Sequence, residues 1–261
     1  MELIIILTVV FFVLLGVVVY MFKEAFADRV LFQKIELPHM PQSFGEVKIF
    51  FISDIHRRKI SNKIIDQVQS KGKIDLVIVG GDLLEKGVPL ENVENNIQQL
   101  KRLGPVFFVW GNNDYEVDIL RLDALLLNLG VNTLANSSVL FESETGDRLY
   151  IVGVDDLAKG RDNLELALSD TNKDDFKILI SHNPEIRRKI LAEQGISLML
   201  AGHTHGGQIR IFGFGPSEKG KLEVGKDFTY LISNGYGTTA IPLRLGAKAE
   251  THLITLSHKM D

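Results

Sequence analysis

Asp54-Ile55-His56, Gly81-Asp82, Gly111-Asn112, His182 and Gly202-His203-Thr204-His205 follow one another along the chain, and each piece carries a side chain able to bind a metal ion. Carboxylate and amide oxygens mixed with imidazole nitrogens suit Mn²⁺, Fe or Zn²⁺ better than Ca²⁺. Four of the seven histidines, His56, His182, His203 and His205, fall in this series. The set points to a hydrolase with two metal ions. Two cations about 3.5–4 Å apart can share a hydroxide formed near neutral pH, a nucleophile suited to hydrolysis. The chain has no cysteine, which excludes disulfides, thiolate zinc sites and a thiol nucleophile.

Ligands so far apart in sequence must be gathered by strand ends. Three apolar runs, Val47 to Ser53, Leu76 to Val79 and Val106 to Trp110, each stop at a loop holding one of these groups. Asn62 to Ser70 and Leu90 to Leu103 carry apolar residues at helical spacing and read as crossover helices. Strand, loop and helix in repetition give parallel strands whose carboxyl ends share one edge, where α/β proteins place their sites. Glycines 81, 111 and 202 allow the tight turns and close backbone approach such an edge needs. The second half is richer in strands. Asn136 to Phe141 and Arg148 to Val154 read as a hairpin, Leu164 to Leu168 as helical, and Phe176 to Ser181 as a strand ending at His182. A helix is expected from about Glu185 to Gln194, followed by strands at Ser197 to Ala201, Gln208 to Phe212, Thr229 to Ser233 and Thr251 to Leu256.

Composition narrows the partners. A net charge of −4 with dispersed Lys and Arg gives no basic stripe for nucleic acid. Residues 3 to 22 contain no charged residue, and as a helix they span roughly 30 Å, one hydrocarbon core. Ala25-Phe26-Ala27 resembles a signal-peptide cleavage site. Against cleavage, no Lys or Arg precedes the apolar run, which is longer than a signal's core. An uncleaved transmembrane anchor over residues 1–23 is the preferred reading, with a connector at 24–46 containing Pro38 and Pro41, and one catalytic domain from 47 to 261. Lys23, Arg29 and Lys34 follow the segment, so the positive-inside rule favours a cytoplasmic domain in a single-pass membrane protein.

The ordered series resembles the calcineurin-like metallophosphoesterases, and the flanking residues Ser181-His182-Asn183-Pro184, Ala201 to Gln208 and Asn234-Gly235-Tyr236-Gly237 resemble their membrane-associated bacterial YkuE-type branch. The likeness runs from residue 47 to 256. It implies an α/β fold, a four-layer αββα sandwich of two mixed β-sheets flanked by helices. It further implies that Asp54, His56 and His205 hold one divalent metal ion and Asn112, His182 and His203 the other, with Asp82 bridging; Mn²⁺ is the first choice, Fe or Zn²⁺ the others. The implied reaction is hydrolysis of a phosphodiester or diphosphate bond, in a phosphorylated small molecule or a lipid-linked substrate, by a metal-bridging hydroxide.

One residue departs from the pattern. The family has Gly-Asn-His-Asp/Glu where this chain has Gly111-Asn112-Asn113-Asp114, and the missing His resembles the family's leaving-group acid. An amide donates hydrogen bonds but is no general acid at neutral pH. Asn113 is therefore expected to position substrate, with Asp114 behind it. A binding module with a silent site, or a phosphomonoesterase, stays open as an alternative. Arg57 and Arg58, with Lys59 and Lys86, read either as phosphate contacts or as solvated surface charge, and the two arginines also as contacts to anionic lipid. Trp110 reads as core and Tyr115 as the pocket mouth. Gly213 to Lys221 reads as a lid or a long turn, and Thr238 to Ala249 as a stretch near the membrane face.

Overall fold

In a computed structural model, which describes residues 1–259, Glu2–Ala25 forms one helix (α1). Its apolar side chains are exposed along its length, and only Met21 and Ala25 are buried. The expected connector begins with structure of its own. Val30–Leu37 (β1) pairs in parallel with the last strand of the chain, Val30 beside Thr251 and Leu37 beside His258. Sequence periodicity could not reveal that pairing, because the partner lies more than two hundred residues away. The final two residues of the domain expected to run to 261 lie outside the described residues.

Val47–Ile52 (β2), Leu76–Val79 (β3) and Val106–Phe108 (β4) are apolar and buried at every residue but Lys48, the pattern of strands covered on both faces. They run parallel, with Asn132–Thr133 (β5) at the edge, and Asn62–Gln69 (α2), Leu90–Lys101 (α3) and Ile119–Asn128 (α4) cover the outer face. Ser61 caps α2 by accepting from Ile64 N, and Asp118 caps α4 by accepting from Arg121 N. No expectation was attached to α4, although Leu122 and Leu126 bury themselves at helical spacing.

The second sheet holds Ser137–Glu142 (β6), Arg148–Gly153 (β7), Phe176–Ser181 (β8), Ile196–Ala201 (β9), Lys221–Val224 (β10) and Thr229–Ile232 (β11), in the order β10-β11-β9-β8-β7-β6. With Thr251–His258 (β12), the first sheet runs β1-β12-β2-β3-β4-β5. Both sheets are mixed and six-stranded. Their inner faces share one core, in which Ile49, Phe51, Ile78 and Phe107 pack with Ile151, Ile178, Leu198 and Leu231. The outer cover of the second sheet is thin, a single turn at Leu164–Ala167 (α5) with short 3₁₀ turns.

Two expected elements differ. The helix over 185–194 is instead two 3₁₀ turns, Pro184–Lys189 and Ala192–Gln194, separated by extended Ile190 and Leu191. Only Pro184 and Ile186 are buried there, while Arg187, Arg188 and Lys189 pair outward with Glu218, Glu185 and Asp162. No strand forms over 208–212, because Gln208 and Phe212 take positive φ (55° and 51°), which an extended strand cannot accommodate.

Candidate metal centre

All seven residues of the metal-binding series sit on loops that leave the carboxyl ends of strands. Asp54 and His56 follow β2, Asp82 follows β3, Asn112 follows β4, His182 follows β8, and His203 and His205 follow β9. The sandwich therefore brings two sheets' worth of loops to one edge. The loops interlock through backbone: Asp54 N donates to Gly81 O (3.0 Å), Ile55 N to Asp82 O (2.8 Å), and Gly202 N to His182 O (3.0 Å). Asp54, His56, Asp82, His203 and His205 all hold φ between 49° and 71°. Left-handed backbone at a non-glycine residue costs of order 1–3 kcal/mol and persists where surrounding structure imposes it. That strain is concentrated in five of the seven candidate ligands.

The side chains converge. Ligand atoms of Asp54, His56, Asp82 and His205 lie within 4.8 Å of one another. His56 Nε2 faces His205 Nε2 at 3.0 Å, and His203 Nδ1 faces His182 Nε2 at 3.1 Å. Asp82 stands between the pairs, its Oδ2 3.2 Å from His182 Nε2 and 3.7 Å from His56 Nε2. Asn112 lies between Gly111 and Asn113, and its buried Oδ1 has no hydrogen-bond partner. A buried amide oxygen without a partner costs free energy that a cation would recover. Opposed imidazoles, central carboxylates and this orphan oxygen fit a site for divalent ions.

Outer contacts aim the ligands. His182 Nδ1 donates to Gly80 O (2.9 Å), which directs Nε2 into the site. Glu85 Oε2 lies 3.1 Å from His56 Nδ1, and Arg57 pairs with the other oxygen of Glu85. Asp114, fully buried, accepts from Asp82 N (2.9 Å), Gly111 N (2.8 Å) and Leu84 N (3.2 Å), and so staples the second and third loops together. Burial and the nearby Asp82 push its carboxyl up to about 7. Asn113 gives its backbone N–H to Asp82 Oδ1 (2.8 Å) and its Nδ2 to Asp82 Oδ2 (2.7 Å). A Cβ on Gly111 would come within 2.4 Å of Asp82 N, and one on Gly202 within 2.5 Å of Asp54 Oδ2.

The structure relocates the arginines. Arg58 is not available to a phosphate: its guanidinium, stacked 3.5 Å from the Tyr236 ring centroid, donates to the carbonyls of Ala25, Phe26, Ala27 and Tyr236 and to Asp28. It fastens the foot of α1 to the loop beside Asp54. Arg57 is exposed but braces Glu85. Trp110 is core, and Tyr115 packs on it while bonding to Asp155. Sequence reasoning missed Glu85 and Arg244. No spacing rule selects Glu85. Arg244, a charge between Leu243 and Leu245, was a visible anomaly; fully buried, its guanidinium donates to the carbonyls of His205, Asn234, Gly237 and Ala247 and lies 3.3 Å from His205 Nδ1.

Burial disfavours charge throughout the cluster, and the pairings decide which groups keep it. It pushes Asp54 and Asp82 up, but the histidines outweigh it and hold both below the ordinary carboxylate range. Burial lowers His182, yet Asp82 and Asp54 raise it to about 10, and Glu85 with the aspartates raises His56. Burial with His56 and Arg244 nearby brings His205 down to about 4, and burial with His182 lowers His203. Asp82 and Asp54 favour the protonated form of His182 in the metal-free protein, whereas a metal ligand must be neutral. Cation loading should expel protons. Its apparent affinity should fall as pH drops, by up to about tenfold per pH unit for each proton displaced. Calorimetric titration in buffers of different ionisation enthalpy measures that release; a buffer-independent heat would refute it.

Residues 47–207 match the family described as Calcineurin-like phosphoesterase, and the chain belongs to that family. Among its relatives, YpbG of Bacillus subtilis is 50% identical over 209 residues, 80% of either chain. The bovine "Transmembrane protein with metallophosphoesterase domain" is 32% identical over 84% of this chain and 56% of its own length. NAD nucleotidase of Haemophilus influenzae shares the fold, with TM-score 0.50 at 14% identity over 74% of this chain. The chain spans about half the length of these last two proteins, 56% and 45%.

Proposed function

We propose that the protein is a membrane-anchored phosphoesterase that holds two divalent cations, Mn²⁺ ahead of Fe or Zn²⁺, and hydrolyses a phosphodiester or diphosphate bond. The convergence of six ligand-type side chains on one strained loop edge, with the buried Asn112 Oδ1 unpartnered on an adjoining loop, carries this reading. Asp54, His56 and His205 would hold one ion, Asn112, His182 and His203 the other, and Asp82 both. When bound, the ions supply Lewis acidity and an activated water.

The protein's own residues set the limits of the chemistry. Asn113 stands where it can donate from Nδ2, now to Asp82, and it has no titrating proton to give a leaving group. With no general acid at 113, leaving groups that need no proton are favoured, which ranks a diphosphate bond or an activated diester above a protein phosphate. Asp114 keeps the Asp82 and Asn112 loops in register without reaching substrate. Asn113→Ala should lower turnover by about 10–100-fold and leave the shape of the pH profile unchanged. Loss of an acidic limb in that variant would show that Asn113 sits in a proton path after all.

The helix α1 is read as a single-pass anchor, supported by its length, its exposed apolar surface and the transmembrane character named for the bovine relative. Lys23, Arg29 and Lys34 after the helix support a cytoplasmic domain, and the proposed substrate is a phosphorylated small molecule or a lipid-linked one rather than nucleic acid. The purified full-length chain assayed with bis-(p-nitrophenyl) phosphate tests the activity: turnover that appears with Mn²⁺ and disappears with chelator supports it. Two bound ions without turnover would favour a phosphoesterase-fold binding module, the reading that the Asn113 substitution motivates.

A further inference from the structure

Ile211, Phe212, Phe214 and Ile241 are 61, 95, 83 and 55% exposed, and they stand on two loops tied together beside His205. Gln208 Nε2 donates to the carbonyls of Thr239 (3.1 Å) and Ile241 (2.9 Å), and Arg210 N donates to Leu245 O (2.7 Å). Inside the first loop the Arg210 guanidinium donates to the carbonyls of Gly206, Gly213 and Ser217. Polar contacts thus fill the inner side of the loop, and the large apolar side chains are left facing outward. Ile211 and Phe214 exchange backbone hydrogen bonds (2.9 and 3.0 Å) around a turn in which Phe212 and Gly213 both take positive φ, 51° and 86°. A bulky aromatic is disfavoured in that region, and nearly complete exposure of its ring to water adds to the cost.

The second loop also receives the foot of α1. Arg244 N donates to Met21 O (3.0 Å), and Met21 and Ala25 are buried against the domain. Arg58 locks the next residues of the chain, so the helix leaves the domain at a fixed place beside the two loops. We propose that Ile211, Phe212, Phe214 and Ile241 form a rim seated in the bilayer interface at the foot of α1, where it holds the metal centre against the lipid headgroups. This inference rests on the reading of α1 as an anchor. Aromatic and aliphatic side chains at that depth exchange water for the acyl boundary, the environment they favour. A site held there meets phosphoesters whose apolar part stays in the membrane.

The chain has no native cysteine, so single bimane labels can be placed on the full-length protein as Phe212→Cys, Phe214→Cys and Leu14→Cys. Each is reconstituted in phosphatidylcholine vesicles and challenged with lipids spin-labelled near the headgroup, lipids spin-labelled deep in the acyl chain, and aqueous iodide. The proposal expects both phenylalanine positions to lose emission to the shallow spin label and not to iodide, and Leu14 to lose it to the deep label. Iodide quenching at 212 and 214 with deep quenching at 14 would overturn the rim and leave the anchor standing. Labels at 212 and 214 hidden from both lipid and iodide would assign the face to a second copy of the chain, again overturning the rim. Iodide access at 14 would remove the anchor, and the rim with it.

Discussion

Asp82→Asn is expected to lower metal-dependent turnover by about a hundred- to a thousandfold, the size of loss seen when one preorganised electrostatic contact is removed from an active site. The substitution keeps volume and shape while removing the charge and one acceptor oxygen. Asp82 is the carboxylate that both halves of the site share, 3.2 Å from His182 and 3.7 Å from His56. Without it two cations would have no anion between them. Its loss also changes the protein before any metal binds. The pairing with Asp82 is the largest influence that raises His182, so His182 should titrate lower in the variant and metal loading should release fewer protons. An amide at position 82 that presented its NH₂ toward Asn113 Nδ2 would also set donor against donor across a 2.7 Å contact. Metal content after gel filtration, measured beside turnover, separates the two consequences. Full metal content with full activity in the variant would remove Asp82 from the centre.

The second large effect is on folding. Arg244→Met should destabilise the protein by about 3–5 kcal/mol, because several buried carbonyls lose their donor together. The guanidinium is fully buried and supplies donors to the carbonyls of five residues, His205, Asn234, Gly235, Gly237 and Ala247. Methionine fills much of the volume but leaves those oxygens unsatisfied, each a desolvation penalty of about 1–3 kcal/mol. Burial lowers the pKa of Arg244 to about 10, so it remains charged at neutral pH. Lysine should rescue only part of the loss, since one ammonium cannot reproduce a planar fork that reaches oxygens on several sides. The denaturation midpoint, followed with and without Mn²⁺, checks this. An unchanged midpoint would mean that water satisfies the carbonyls in place of the guanidinium.

The contrast between these two residues shows what was legible in the sequence. Asp82 announced itself because a buried strand, Leu76 to Val79, stops at glycines and then a carboxylate, and the same grammar exposed Asp54, Asn112, His182, His203 and His205. Local pattern suffices when an element and its ligand are adjacent in the chain. Arg244 was visible only as an oddity within an apolar stretch, because its partners at 205, 234 and 237 are set by how loops fold over one another. Arg58 stayed open between phosphate contact, surface charge and lipid contact for a related reason: its partners at the foot of α1 and at Tyr236 are far from it in sequence. The pairing of β1 with β12 is longer in range still. Gln208 and Phe212 were read as extended from their composition, and their left-handed backbone follows from the turn that places His205, which no residue preference announced.

The proposed activity needs two ions, and not one, at this loop edge. Turnover of bis-(p-nitrophenyl) phosphate, recorded as Mn²⁺ is added to the metal-free full-length chain with bound metal quantified at each point, separates the two cases. Activity is expected to climb to a plateau at two Mn²⁺ per chain; a plateau at one, or silence at two, would refute the two-ion site.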